Sequence, residues 1–562
     1  MHHHLSLRGK IIIMLSVMAS LLLVALDQTI IATALGKIVE EFHSYDSLSW
    51  IVTAYLITTT ITVPIAGKLS DLFGRRRILL AGVAIFALGS LLAAMSGNVT
   101  ELIAWRALQG IGGGIITANA FTIVGDLFAA RERGKWQGLI GAVFGLSSIV
   151  GPLLGGFLTD GQPFFGLVTD WRWTFYINIP VAILAFIFIA IFCPPLKHDN
   201  KPRIDYRGAA LLTILLGTLI LAVDNTATIF AGLMDATGLN IVGLRVIMFS
   251  IVAAALVGFI VVEKRAEEPI LPLHFFKNRN YVLLVTIAGL FGAAFMGSIL
   301  YLTQFNQQVF GATPTESGLM LLPMVAGLML TSIGSGQIIS RTGKYKIFMQ
   351  IGLVIATIGM LALTTLGPDS VYLQEAIIMT FLGLGLGVTM PVLNLAIQNE
   401  FEQRELGAAT SSNQLFRSLG STIGTAVFGA MLTAGIIGSL GNVQNTAYLQ
   451  TLSSNPQATQ VGSFDDANTL LTLNMPDVKK EITDNANKAF DSLPATIGKP
   501  AAEKFTADQT EFSNRVTNAF SDSLRTIFIA ATGLMAFAAV AVAFIKEKPL
   551  KSGKPGATPG EM

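Results

Sequence analysis

Of the charged side chains that fall inside long apolar runs, three limit the chemistry open to this chain: Asp27, Arg106 and Arg417. A carboxylate alone in a low-dielectric medium keeps its proton, while a neighbouring arginine favours the charged form. A carboxylate poised between those limits can take up and release a proton when its surroundings move. Asp27 is the one acid well inside such a run. Glu101, Asp126, Asp160, Asp224, Glu375 and Asp522 stand at run edges, where a solvated end residue is expected. At about 1.5 Å per residue, Asp27 and Arg106 reach similar depth, and Arg417 lies nearer the middle of its run. We read Asp27 as a proton carrier with Arg106 and Arg417 as its electrostatic surroundings. A static Asp27–Arg106 ion pair that only joins two helices is the alternative. Gln28, Asn119, Asn413 and Gln414 put amides in the same apolar setting and are candidates to line a substrate cavity. The other chemistry is sparse. His43, His198 and His274 have no ligand spacing around them, so no metal is expected, and a lone Cys193 excludes an intramolecular disulfide. No phosphate-binding GxxxxGK[ST] run occurs, and the glycines at 110–114 fit no dinucleotide frame. No cofactor is expected. The energy source that remains is an ion gradient.

Such charges need elements to carry them. Of 562 residues, 52% are hydrophobic and 13% charged, about half the charged share of a soluble protein. The net charge of +2 is too small to point to nucleic acid. A spanning helix takes about 20 mostly apolar residues. Fourteen stretches qualify: 11–33, 48–68, 78–96, 101–124, 137–159, 173–193, 207–224, 241–262, 281–303, 317–340, 346–366, 374–398, 408–436 and 524–545. The chain therefore reads as an all-α membrane protein with 14 transmembrane helices. Lysine and arginine collect on the cytoplasmic side of a membrane protein. Twenty-five of them fall on the side of the N-terminus, against Lys37 and Arg172 opposite. Both termini are expected in the cytoplasm, with the chain crossing the cell membrane.

An internal repeat organises the spans. GKLSDLFGRRR (67–77) recurs as GQIISRTGKYK (336–346), and RERG (131–134) as RELG (404–407). Two six-helix pseudo-repeats with two inserted central helices explain the spacing, as in transporters built from parallel repeats. The expected organisation is a cytoplasmic N-terminus (1–10), an N-terminal six-helix bundle (11–193), and two linker helices with their loops (194–280). A C-terminal bundle (281–545) and a cytoplasmic tail (546–562) complete it.

Gly67 and Gly74 allow close approach and a tight turn, Asp71 offers a carboxylate, and Arg75 and Arg76 meet both the inner leaflet and carboxylates. The Gly-x3-Asp-x2-Gly frame goes beyond an ordinary basic loop. In the fifth span, Gly138, Ser147, Gly151-Pro152 and Gly155-Gly156 give a face of small residues suited to close helix packing. The 67–77 turn resembles the signature of the major facilitator superfamily, and LIAWRALQGIGGG (102–114) resembles its arginine motif. The fifth-span face resembles the glycine/proline signature of its antiporters, with Ser147 where that pattern has glycine. Together with LDQTIIATAL (26–35), DWRWTFYINIP (170–180) and NQLFRSLGSTIG (413–424), the chain is similar to the fourteen-span drug:H+ antiporter family. The resemblance implies a cytoplasmic gate at the 67–77 turn, in which Asp71 caps the start of the thirteenth span from the other half. Ser340 replaces aspartate in the second copy, which implies an asymmetric gate. The tenth span lacks an acid.

The function expected from this is proton-coupled export of hydrophobic or amphipathic compounds by alternating access. A lipid or glycolipid exporter of the same fold and a membrane sensor or enzyme reusing it are the alternatives. Residues 437–523 lie outside the resemblance. Apolar positions at helical spacing, Leu470, Leu471, Leu473, Val478 and Ile482, then Phe505, Phe512, Val516 and Phe520, predict an extracytoplasmic helical hairpin whose second arm runs into the last span. Its apolar stripe is expected to border a lateral opening towards membrane lipid; the alternatives are a mobile loop or a site for a partner protein.

Overall fold

The computed structural model describes residues 6–42, 48–159, 163–164, 167–193, 204–223, 226–440, 446–453 and 467–550. His43, Asp160, His198 and Asp224, and the basic residues Lys197, Lys201, Arg203, Lys551 and Lys554, lie outside them. So do residues 441–445 and 454–466 of the outer segment. Fourteen helices among the described residues are long and apolar enough to cross a membrane. The first five are α1 (Leu7–Phe42), α2 (Leu48–Phe73), α3 (Arg75–Ala94), α4 (Val99–Leu127) and α5 (Ala130–Thr159). A two-residue antiparallel ladder of β1 (Pro163–Phe164) and β2 (Leu167–Val168) precedes a sixth span divided into α6 (Trp173–Tyr176) and α7 (Asn178–Phe192). The inserted pair is α8 (Tyr206–Val223) and α11 (Ile241–Glu263), separated by the short α9 (Thr226–Ile229) and α10 (Ala231–Thr237). The second half has α12 (Arg279–Gln308), α13 (Pro314–Met320) leading into α14 (Leu322–Thr342), α15 (Lys346–Leu363), α16 (Tyr372–Glu400) and α17 (Leu406–Leu440). After α18 (Ala447–Ser453), α19 (Ala467–Leu473) and α20 (Pro476–Asp491), the last span is the far end of α21 (Ala495–Ala543).

Local chemistry sets the ends. Asn98 starts α4 by accepting from the Glu101 amide at 2.9 Å, and Thr313 with Glu316 forms a capping box on α13. Gly74 divides α2 from α3 at φ 93°, and Gly343 ends α14 at φ 71°. The two glycines occupy the same place in the repeated turn, where a side chain would clash with the backbone.

The repeat also governs packing. In α4, Gly110 faces Tyr55 and Thr58 of α2, Gly112 faces Phe86 of α3, and Gly114 faces Thr59 and Thr62, none leaving room for a Cβ. In α16, Gly383 and Gly387 meet α14 and Gly385 meets α15 in the same way. These triplets are 273 residues apart, the spacing of RERG and RELG. The glycine run of α4 is therefore a packing device that lets helices approach where no hydrophobic force drives them together. Leu184, Ile191, Val242, Val257 and Leu361 point outward, as a lipid-facing surface requires.

The inserted helices lie along one seam between the halves. Leu212, Leu215 and Leu216 of α8 and Ala255 and Phe259 of α11 share a cluster with Ile61 of α2 and Leu415 of α17. The outer segment corrects one expectation. Phe505, Phe512, Val516 and Phe520 of α21 are buried with Tyr448, Leu470, Leu471 and Leu473. Among the described residues the apolar stripe is buried, Phe505 and Phe512 lying against Tyr448, and is not exposed along a lateral opening; each fully buried large apolar side chain gains about 1.5–3 kcal/mol this way.

Candidate functional site

Asp27 of α1 lies in a closed polar cluster in the N-terminal half. Its carboxylate accepts from Arg106 Nη1, from Gln109 Nε2 at 2.8 Å and from Asn178 Nδ2 at 3.3 Å. Gln109 also donates to Ser90 at 2.6 Å, and Arg106 donates to Gln109 Oε1 at 2.7 Å. The guanidinium stands 4.4 Å over the Tyr55 ring and 5.8 Å over that of Phe175. Asp27, Arg106, Gln109, Ser90 and Asn178 are all buried. Five spans thus meet at one ion pair, and removing one member would leave an uncompensated charge, typically costing about 3–5 kcal/mol. Gln28, next along α1, is half-buried.

Arg417 is not part of this cluster. It sits half-buried on α17, 6.0 Å from the Phe121 ring of the other half. The electrostatic surroundings of Asp27 are therefore Arg106, Gln109 and Asn178, the two amides having escaped the sequence reading. Gln109 stands one turn beyond Arg106, and that spacing was the available signal.

The second group of residues closes the basic side. Asp71 of α2 accepts from Arg75, and its other oxygen accepts the Ala408 amide at 3.1 Å, at the start of α17 in the opposite half. Helix N-termini favour negative charge, so Asp71 holds the halves together there. Arg75 also reaches Asp126 at 2.7 Å, which moves Asp126 from an expected solvated end to a buried pair. Arg76 donates to the Ala190 carbonyl of α7. Gly67 lies against Gly407 and Ser411, and Gly134 against Gly336. Both pairs join a first-motif glycine to a second-motif glycine, so the closure repeats about the pseudo-twofold axis. Ser340 is half-buried, and its hydroxyl donates to the Gln337 carbonyl of its own helix. Lys68 joins Glu268 beyond the inserted pair at 2.6 Å. Gln403 donates to Asp126 at 2.7 Å and to the Gly125 carbonyl at 3.1 Å.

Above this closure lies an amide layer. Asn413 and Gln414 donate to Asn394 Oδ1 at 2.7 and 3.3 Å. Gln398 of one half and Gln137 of the other both donate to the Phe121 carbonyl, at 3.0 and 3.3 Å. Asn119 donates to Ile115 within α4. Side-chain oxygens of Asn119, Gln137, Gln398, Asn413 and Gln414 are buried without a hydrogen-bond partner. Three of the four cavity candidates therefore gather at one level, and Gln28 does not join them.

The small-residue face of α5 splits between two partners. Gly138 packs on Ser332 of α14, whose hydroxyl donates to the Gly138 carbonyl at 2.9 Å. Farther along, Thr29 of α1 donates to the Ser147 carbonyl at 3.1 Å and touches Gly151. The carbonyls of Gly155 and Gly156 accept the Thr159 hydroxyl, at 2.7 and 3.2 Å. The helix continues through Pro152. The motif thus touches the other half at one end and the Asp27 helix at the other.

Glu375 is a second correction. Expected as a solvated helix end, it is fully buried at the far end of α16, and the Asn306 amide of α12 approaches its carboxylate oxygens at 2.7 and 2.8 Å. No cluster of three or more metal-ligating side chains occurs among the described residues.

Two six-helix halves joined on one side by separable polar contacts define a membrane transporter. The chain matches the Major Facilitator Superfamily model over residues 17–425 and belongs to that family. It is 36% identical to the multidrug transporter protein MdtP of Bacillus subtilis (strain 168), over 94% of this chain and 91% of that one. Multidrug resistance protein 3 of the same organism is 32% identical over 96% of each. The efflux pump dotC of Dothistroma septosporum (strain NZE10 / CBS 128990) is 32% identical over 73% of this chain and 70% of that one. Among solved structures, the human organic anion transporter MFSD10 (TETRAN) shares the fold with a TM-score of 0.56 at 17% identity, covering 75% of this chain and 93% of that one. The proton:xylose symporter XylE has a TM-score of 0.53 at 16% identity, covering 75% and 88%. Fourteen spans and multidrug relatives agree with the drug-efflux branch of the family. The fold and these relatives are those of transporters, not enzymes.

Proposed function

We propose that this protein exports hydrophobic or amphipathic compounds across the cell membrane in exchange for protons. The basic side is assigned to the cytoplasm by its excess of lysine and arginine, with both termini there. The named multidrug and efflux relatives support the direction and the substrate class. The Asp71 contact to α17 supports a state closed to the cytoplasm, from which substrate leaves outward. The observation that carries the coupling is the Asp27 cluster: one carboxylate, fully buried, held by an arginine and two amides. Proton binding at Asp27 replaces the ion pair by a neutral acid, frees Arg106 and loosens the five-span junction. Substrate and proton then compete through the packing of one half, which is what exchange requires. The proton arrives from outside and leaves to the cytoplasm, and no cofactor takes part. The lipid-exporter reading draws no support from the outer segment, whose apolar stripe is internal.

The test uses Asp27→Asn protein in proteoliposomes, with ethidium, Nile red and a fluorescent phosphatidylglycerol as probes. Proton-driven transport and substrate-induced proton release should vanish while folding and probe binding persist. Retained proton-driven transport in this variant would sink the coupling role. Loss of folded protein alone would assign Asp27 and Arg106 to holding helices together.

A further inference from the structure

We propose that Glu375 is a second proton-binding site, belonging to the C-terminal half and loaded from the outer solution, with Asn306 as the group that reads its protonation. Glu375 and Asn306 are both fully buried, on α16 and α12. The Asn306 amide tip lies 2.7 and 2.8 Å from the two carboxylate oxygens, donating to both when its nitrogen faces them. The same tip turned by half a revolution presents an oxygen, which accepts a proton from a neutral acid. One side chain thus satisfies either form without moving a helix.

Among the described residues no cation stands near to hold the charged form. The helices packed against α16 are α5, α12, α14, α15 and α17. The charges of α5 (Arg131, Glu132, Arg133, Lys135), α12 (Arg279), α14 (Arg341) and α15 (Lys346) all sit at the basic end, and Arg417 stands about a third of the way along α17. On the far side the nearby titratable groups are Tyr372, one turn away on α16, and Tyr301 on α12. Glu316 and Asp369 are exposed there, and Glu316 is occupied in the α13 capping box. The start of α16 favours a carboxylate, but that effect fades within the first turn. Burial without a cation opposes it more strongly. Glu375 lies three residues, about 4.5 Å, from the start of its helix. Tyr372 and Phe310 meet edge to face at 6.5 Å at that end. Outer solution reaches the acid when this aromatic pair parts. Each half then carries one buried acid towards the far side: Asp27 held by an arginine, and Glu375 held by an amide.

The proposal deepens the proton-coupled reading, and the two fail separately. The infrared carbonyl band of a protonated carboxylic acid, followed in purified full-length protein at neutral pH, needs no transport. The band should be present in the wild type and lose intensity in Glu375→Gln. An unchanged band overturns the site. If Glu375→Gln does not fold, Asn306→Leu keeps the acid and removes its partner, and the band must shift; an unshifted band overturns the proposal equally. In proteoliposomes, wild-type protein that moves no Nile red on an imposed pH gradient would sink proton coupling and leave the band to decide the site. Gradient-driven transport in the wild type that Glu375→Gln fully retains, with exchange also retained, would remove Glu375 from the cycle.

Discussion

Asp27 accepts hydrogen bonds from three side chains, one of them charged, whereas Glu375 accepts from one neutral amide. The difference separates a carboxylate tied into helix packing from one whose charge has little support. A third acid, Glu41, shows the solvated case. It lies at the far end of α1, where Arg172 donates to it at 2.8 and 3.0 Å and Trp171 at 2.6 Å. The hydrogen bonds from Arg172, helped by Trp171 and opposed by partial burial, hold the Glu41 carboxyl below its ordinary value. A carboxyl lowered by folding stabilises the fold above its unfolded value of about 4.5, and that contribution is lost as pH falls through the folded value. With the Glu41 side chain 43% exposed, screening limits the effect to less than about 1 kcal/mol. Thermal unfolding of wild type and Glu41→Gln should differ near neutral pH and converge in acid. A constant offset at every pH would show that the bond carries no proton linkage.

Among the elements, α5 carries the most distinct division of labour. Its basic end packs on α14 of the other half through Gly134 and Gly138, while Ser147 and Gly151 pack on α1 beside Asp27. A methyl group at Gly138 would meet the Ser332 carbonyl. Neither backbone can yield without moving a helix, and overpacking of this kind costs about 1–3 kcal/mol. Gly138→Ala is expected to open the basic side. A cysteine placed at Ser411 in a Cys193→Ser background should label faster from that side in the Gly138→Ala protein. Equal labelling would mean that the α5–α14 contact does not set the equilibrium. The spans themselves were legible in the sequence, because a bilayer requires unbroken helices. Their glycine faces were legible only in part: the 383–387 triplet repeats the one at 110–114, yet which neighbour each glycine admits depends on the packing of helices distant in sequence.

For the whole molecule, the closure at the basic side is symmetric in its glycines and asymmetric in its charge. Asp71 caps α17, whereas Ser340, its counterpart, caps nothing in the other half. Asp71→Asn weakens one charge-assisted contact to the Ala408 amide and leaves Arg75 with Asp126 alone. The expected loss is about 1.5–3 kcal/mol from the closed state, roughly a ten- to hundredfold change in the open population. The Ser411 cysteine should report it as faster labelling, and Ser340→Ala should leave the rate unchanged. Unaltered labelling in Asp71→Asn would place the lock elsewhere, with the Gln398 and Gln403 contacts next to test.

The sequence by itself determined the fourteen spans, the two repeated halves, the glycine turns and the shared depth of Asp27 and Arg106. The spans and the shared depth follow from a fixed rise per residue and from the need to keep backbone polar groups paired in lipid, and the halves and turns from the internal repeat. Only the tertiary structure decided where Arg417 points, that Glu375 is buried despite standing at a helix end, and that the outer hairpin turns its apolar stripe inward. An apolar position in a membrane protein satisfies lipid and core equally, so hydropathy cannot assign its face. A residue at a helix end is buried or solvated according to what another part of the chain lays over it. Those outcomes rest on contacts between residues far apart in sequence, such as Asn306 with Glu375 and Asp71 with Ala408, which no local pattern encodes.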